Sequence, residues 1–279
     1  MSEWITESGA GFGVTIETEE LLYSAQSPFQ KIEIYRTSNL GRMLVLDGVI
    51  QLTEFDEFAY QEMLAHVPAF AHPEPRSALI IGGGDGGVAR ELAKHASIET
   101  IDLCEIDEMV VNAARKYLPF IACGFDDPRV RVHIGDGAKF VAAHESAYDL
   151  VIVDSSDPIG PNESLFNDEF YHGVKRALKP GGIAAAQAES YYLYPQVATR
   201  LTGIFQRVFG SSAYSGMLVP SYPGGTIGAC VAAVDGRDVR RPARRPATGT
   251  TLKYYTPAVH EASFVLPIFA EKLFEEAKK

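Results

Sequence analysis

The chain has 279 residues, enough for one large domain or two modest ones with a real core. A formal net charge of -11 argues against nucleic acid as a main partner, and 46% hydrophobic with 22% charged residues is ordinary for a soluble globular protein. The three cysteines, Cys104, Cys123 and Cys230, form no close pair, which argues against a disulfide scaffold or a thiolate zinc site. Met1 to Glu7 has neither a basic start nor an apolar run, so no signal peptide is expected, and no apolar segment is long enough to span a bilayer. A cytoplasmic protein without a membrane partner is the expectation. The acidity suits a cationic substrate, although many cytosolic enzymes are simply acidic.

Residues 1–53 read as a small antiparallel β domain. Short strand-like runs fall at 11–17, 21–24, 30–37, 42–46 and 49–52, several alternating apolar with polar as in Lys31-Ile32-Glu33-Ile34-Tyr35-Arg36. Asp47-Gly48 is a strong hairpin signal. A linking segment, 54–76, holds a helix over 54–70 with Phe58, Met63 and Val67 on its apolar side, then the rigid His72-Pro73-Glu74-Pro75. From 77 to 279 strands alternate with helices. Strands are expected at 78–81, 100–104, 130–134, 149–153 and 183–187, and helices at 87–94, 107–117, 137–143, 167–178 and 194–209. That alternation predicts an α/β fold, a doubly wound, Rossmann-like parallel sheet, completed by strands near 213–219 and 227–234 that are antiparallel at the edge. Gly236 to Thr251 carries Arg237, Arg240, Arg241, Arg244 and Arg245 and reads as a solvated loop. The tail from His260 to Lys278, with Phe264, Ile268 and Phe269 at helical spacing, reads as a docking helix.

The chemistry gathers after the strands, because an open α/β sheet binds ligands outside its carboxyl ends. Leu79-Ile80-Ile81 runs into Gly82, Gly84 and Gly87, a G-x-G-x-x-G turn opening a helix. Glu105 lies about twenty residues on, where an acid usually holds a ribose hydroxyl pair. Asp85, inside the turn, would repel a pyrophosphate and welcome a cation. A nucleoside without phosphates and with positive charge, such as a sulfonium of the S-adenosylmethionine type, meets both conditions; an Asp that merely caps the helix is the other reading, and the two are compatible. Gly135-Asp136-Gly137 follows the third strand, with Asp136 placed to accept from the adenine amine, and Asp154-Ser155-Ser156-Asp157-Pro158 follows the fourth. Four strand ends thus carry acids to one edge. Asp154 and Asp157 stand where two carboxylates would bind an ammonium and take its proton. The segment from Asp157 to Glu169 is rich in turn formers and suits a closing lid, and Ser221-Tyr222-Pro223 is a turn that would present Tyr222. None of the seven histidines has a metal-ligand spacing, so no metal is expected.

The chain resembles the spermidine synthase family of aminopropyltransferases over nearly its whole length. The resemblance rests on Ser27-Pro28-Phe29-Gln30, Leu46-Asp47-Gly48-Val49-Ile50-Gln51, Asp56-Glu57-Phe58-Ala59-Tyr60-Gln61-Glu62-Met63, the glycine turn, Glu105-Ile106-Asp107, Gly135-Asp136-Gly137, Ser221-Tyr222-Pro223, Tyr254-Tyr255 and, most specifically, the run from Asp154 to Phe166. It implies decarboxylated S-adenosylmethionine as co-substrate, with no permanent cofactor, and a diamine, usually putrescine, as acceptor; spermidine and methylthioadenosine are the implied products. By matching position it implies Asp154 as proton acceptor, Asp157, Tyr60 and Tyr222 on the diamine, Gln61 and Asp85 at the aminopropyl end, and Gln30, Gly82, Gly84, Glu105, Asp136, Gly137 and Pro161 around the nucleoside. It also implies a homodimer or homotetramer built through the N-terminal part. Phe55 departs from the family's frequent Arg. Rival readings are a putrescine-type methyltransferase using intact S-adenosylmethionine, which Asp85 without a nearby cation disfavours, an NAD-dependent oxidoreductase, and a silent binding subunit. The acceptor itself (putrescine, cadaverine, agmatine or spermidine) depends on pocket depth near Tyr60, Gln61, Glu189 and Tyr222.

Overall fold

The structure, a computed structural model, describes residues 3–155 and 165–278. Two sheets organise it. The first is five-stranded and antiparallel, in the order β1 (Glu3–Gly9), β2 (Phe12–Gln26), β3 (Lys31–Thr37), β4 (Arg42–Leu46) and β5 (Val49–Thr53). The β4–β5 connection is the expected Asp47-Gly48 turn, with φ of 50° and 84°, the doubly left-handed geometry of a tight hairpin. β2 is one strand where the alternation predicts two. Its pairing with β3 slips between Thr18 and Glu20 and again between Leu21 and Tyr23, which breaks the period. β1 is not expected from the sequence; it is an outer strand whose Trp4 is 60% exposed, so burial imposes little alternation on it.

The second sheet has seven strands in the order β11 (Ala213–Leu218), β12 (Thr226–Ala233), β10 (Leu178–Gln187), β9 (Tyr148–Asp154), β6 (Ser77–Gly82), β7 (Thr100–Glu105) and β8 (Val130–Ile134). β6 to β10 run parallel, and β11 and β12 are antiparallel to their neighbours, as expected at that edge. The chain winds outward from β6 through β7 to β8, then returns to β9 and β10 on the other side. The order therefore reverses between β6 and β9, the place where such sheets hold ligands. Helices cover both faces. α1 (Glu57–Ala71), α2 (Gly87–Ala93), α3 (Glu108–Tyr117) and the short α4 (Pro119–Ala122) join one apolar core; α5 (Gly137–Ala142), α6 (Asp168–Ala177) and α7 (Pro195–Phe209) join the other.

Four further local results differ from expectation. α1 starts at Glu57, not 54, because Thr53 and Asp56 form a turn, with the Thr53 hydroxyl donating to Asp56 at 2.6 Å. Phe55 lies in that turn, 53% exposed. α1 has no single apolar side: every residue but Phe58 is buried. The tail is two helices, α8 (Pro257–Ala262) and α9 (Ile268–Ala277), because Pro267 cannot continue a helix. Ile268 and Phe269 face outward, and Ala270 and Phe274 dock instead. The arginines of the 237–245 stretch are partly absorbed within the fold. Arg237 and Arg240 pair with Asp235 and Asp238, and Arg244 donates to the carbonyls of Ala69 and His72. No described helix is long and apolar enough to cross a membrane.

Glu57, Glu62 and His66 of α1 are buried and paired. Arg90 forks onto Glu57 at 2.7 and 3.0 Å, and Glu91 takes Arg90, Lys94 and His66. These pairs lock α1 against α2. Glu62, 1% exposed, accepts the backbone N–H groups of Lys253, Tyr254 and Tyr255 at 2.7, 2.8 and 2.8 Å. Glu62→Ala leaves three amides without that acceptor, so chemical denaturation should report a loss of at least ~3 kcal/mol, at ~1–3 per buried unsatisfied group. Limited proteolysis should then cut first near residues 252–256.

Candidate active site

A cavity of about 660 Å³ opens at the switch point between β6 and β9. It is walled by the strand ends, by α1, and by β4 and β5 of the first sheet. Gln30, Tyr60, Gln61, Gly82, Gly84, Asp85, Glu105, Asp136, Gly137, Asp154 and Tyr222 all line it. The structure thus brings together every sequence-derived candidate among the described residues; Asp157 and Pro161 lie outside those residues, as does most of the expected lid.

The glycines make room for the site's own parts. Gly82 sits opposite Asp154 in the β6–β9 ladder with φ of 81°, and a Cβ there would strike the Asp154 carbonyl oxygen. A Cβ on Gly84 would lie 2.9 Å from the Glu105 carboxylate, and one on Gly87 would collide with the Gln61 side chain. So the turn lets β9, β7 and α1 bring their polar groups against it.

Asp85 is tied to the start of α2 and also lines the cavity. Its Oδ1 accepts the Gly87 N–H at 2.6 Å, a helix-opening bond, while Oδ2 lies 3.3 Å from Gln61 Nε2 and the group faces the cavity. Burial pushes its pKa up, with the Glu57 charge adding to the rise and the Gly87 bond opposing it. Asp154 ends β9 and accepts the Tyr60 hydroxyl at 2.6 Å. Burial raises its pKa most, then the Asp85 charge; the Tyr60 bond holds it back. Glu105 is 8% exposed and burial lifts it to about 7, against the Asp107 N–H that it accepts. Asp136 caps α5, taking the N–H groups of Ala138 and Lys139 at 2.9 and 3.2 Å. Tyr222 stands edge-on to Tyr60, ring centres 6.2 Å apart, and spends its hydroxyl on the Gln51 carbonyl at 2.6 Å, so its ring is what it offers the cavity.

Two further groups escaped the strand-end reading. Glu189 follows β10, held at φ of 57° and 9% exposed, and accepts from Gln187 Nε2 at 2.8 Å. The strand-end rule applied to the fifth strand reaches it, although in the sequence it marks only pocket depth. Gln51 and Glu7 reach the cavity from the first sheet, where local pattern carries no sign of it. The balance is one-sided: Gln61 Oε1 and Gln187 Oε1 are buried acceptors with no hydrogen-bond partner, and no Lys, Arg or His is among the described residues lining the cavity. Carboxylates and orphaned acceptors without a cation form a receptor for positive charge and N–H donors.

The fold and this lining define a Rossmann-like nucleoside enzyme with a cation-seeking cavity. A family model described as the spermine/spermidine synthase domain matches residues 57–240, and one described as the spermidine synthase tetramerisation domain matches 3–54. Spermidine synthase 1 of Hyoscyamus niger is 44% identical over 275 residues, covering 95% of this chain and 87% of the relative. The spermidine synthase of Dictyostelium discoideum is 44% identical over 270 residues, 96% of this chain and 95% of the relative. The crystal structure of spermidine synthase from Thermotoga maritima is similar with a TM-score of 0.93 and 39% identity, covering 98% of this chain and 94% of that one. A spermidine synthase in complex with the transition state analogue AdoDATO reaches a TM-score of 0.95 at 39% identity, covering 98% and 95%. The chain belongs to the spermine/spermidine synthase family of aminopropyltransferases.

The raised pKa of Asp154 has a cost for the empty protein. An unfolded Asp ionises near ~4. Between ~4 and the raised native value the unfolded chain binds fewer protons than the native one, so stability falls as pH rises through that window. Asp154→Asn removes this burden and still accepts from Tyr60. In thermal melts without ligand, the variant should match the wild type at pH 4 and melt progressively higher above it, the gap levelling off once pH passes the native value.

Proposed function

We propose that this chain is a spermidine synthase: it transfers the aminopropyl group of decarboxylated S-adenosylmethionine to putrescine, releasing spermidine and methylthioadenosine. The observation that carries this is the cavity of carboxylates and orphaned acceptors with no cation among its described lining residues. The donor is a sulfonium with a terminal ammonium, and the acceptor is a dication. Glu105, Gln30 and Asp136 hold the nucleoside. Asp85 and Gln61 Oε1 take the aminopropyl ammonium. An intact S-adenosylmethionine would bring its carboxylate against Asp85, and this disfavours methyl transfer.

In the reaction an amine nitrogen attacks the aminopropyl carbon bonded to sulfur. The C–S bond breaks, its electron pair stays on sulfur, and the neutral thioether leaves. The attacking amine must first lose a proton, since alkyl amines resemble lysine with pKa ~10.4. Asp154 accepts it, and its raised pKa, nearer to neutral than that of a free Asp, makes it a better base. The Tyr60 hydroxyl holds that carboxylate in place. Tyr222 packs the acceptor's methylene chain and Glu189 faces its far ammonium. Asp157 and Pro161 keep the roles that their positions in the family motif imply. The chain assembles as a homodimer or homotetramer through its N-terminal sheet, where Trp4, Phe12 and Leu21 are exposed.

The decisive test is to incubate the protein with putrescine and each sulfonium donor and identify the nucleoside formed. Methylthioadenosine with spermidine is expected; adenosylhomocysteine, or no product from either donor, would overturn the reading. Asp154→Asn should lower turnover roughly 10²–10⁴-fold, the usual worth of a placed base. Donor binding should change little, and higher pH should restore part of the rate by supplying free amine.

A further inference from the structure

Asp107 stands just past Glu105, and none of the roles above uses it. It is 1% exposed. Its N–H donates to Glu105 Oε1 at 2.9 Å, and its Oδ1 accepts the Met109 N–H at 3.0 Å as the cap of α3. Its other oxygen faces the first sheet. Ser27 Oγ donates to Oδ2 at 2.6 Å and Gln30 Nε2 donates to it at 3.1 Å. One carboxylate therefore joins the end of β7, the start of α3 and the segment that carries Gln30.

The two ends of an amide side chain are alike in size and opposite in polarity, so its neighbours decide which end goes where. A carboxylate oxygen only accepts, so Gln30 must turn its NH2 toward Asp107. That NH2 has two protons, and Asp107 takes one. A ribose hydroxyl that gives its proton to Glu105 has only lone pairs left, and the second N–H is the complementary partner. We propose that Asp107 is a positioning residue that fixes the polarity of Gln30 toward the ribose of the nucleoside. This rests on the reading that Gln30 and Glu105 hold that nucleoside.

Asp107→Asn tests the effect with the helix cap kept. Asn is as good a helix cap as Asp, so its Oδ1 stays on Met109 and its Nδ2 replaces Oδ2. Ser27 Oγ already accepts the N–H groups of Phe29 and Gln30, each at 3.0 Å, so in the variant its proton turns to the Gln30 backbone carbonyl, also 3.0 Å away, and Nδ2 finds no acceptor there. Gln30 can accept only by flipping, which puts a carbonyl oxygen against the ribose lone pairs. In calorimetry, Asp107→Asn should bind methylthioadenosine about tenfold more weakly, of the order of one misplaced hydrogen bond. At saturating donor its kcat should stay within about twofold, because the interaction is equal in ground and transition states. The double variant with Gln30→Ala should bind no more weakly than Gln30→Ala alone, since both remove one interaction. A 2′,3′-dideoxyribose analogue of methylthioadenosine should bind wild type and Asp107→Asn alike, which loss of a structural strut would not produce. Asp107→Ser, which caps the helix but is too short to reach Gln30, guards against a folding defect peculiar to Asn and should also weaken binding. Normal binding by Asp107→Asn, additive losses in the double variant, or an equal penalty on the dideoxy analogue would each overturn the proposal. If Gln30→Ala itself binds methylthioadenosine normally, the placement of Gln30 on the nucleoside is at fault and the proposal falls with it.

Discussion

The burial of several carboxylates around one cavity is the constraint on which the rest of the structure depends. Asp85 and Asp154 meet across the β6–β9 switch point, with Glu105 one strand away, and each raises the cost of ionising its neighbour or is raised by burial itself. Nothing cationic among the described lining residues offsets them. Directed donors relieve them, among them the Gly87 N–H and the Gln61 amide to Asp85, the Tyr60 hydroxyl to Asp154 and the Asp107 N–H to Glu105. The cavity therefore favours an occupant that brings positive charge and N–H donors to these acids.

Such a grouping of acids needs a stiff frame. The Arg90 fork to Glu57 and the Glu91 pairs bind α1 to α2 from behind, on the side away from the cavity. They set the separation of Gln61 from Asp85, while the missing Cβ atoms of Gly82, Gly84 and Gly87 let the polar groups approach. Positive charge thus sits one layer below the cavity surface. It supports the carboxylates without competing with a ligand for them.

Much of this was legible in the sequence, for identifiable reasons. Parallel strands buried on both faces leave apolar runs such as Ala78 to Ile81, and the strand-end rule then reads off Asp85, Glu105, Asp136 and Asp154 in turn. The same rule reaches Glu189 only if the fifth strand is included. Gln51, Glu7 and the Ser27–Asp107 contact cross between sheets, and no local period encodes which residues of two sheets will meet. β1 was invisible because an outer strand is not forced to alternate. The tail departs from its pattern because Phe269 fits the helical spacing but Pro267 resets the helix phase in front of it.

The Asp56 carboxylate has a wider meaning than the turn it closes. It accepts both the N–H and the hydroxyl of Ser221, at 2.7 and 3.0 Å, and so ties the Tyr222 turn to the start of α1, which carries Tyr60. Tyr222 is tied in turn to the Gln51 carbonyl of β5. One end of the cavity is thereby clamped from three distant stretches of chain, while the other is spelled out in short strand-turn units between Gly82 and Gly137. The two ends therefore answer to different kinds of change: a substitution in the 221–223 turn acts first on the end that Tyr60 and Tyr222 line, through long-range ties that no single strand–turn unit contains.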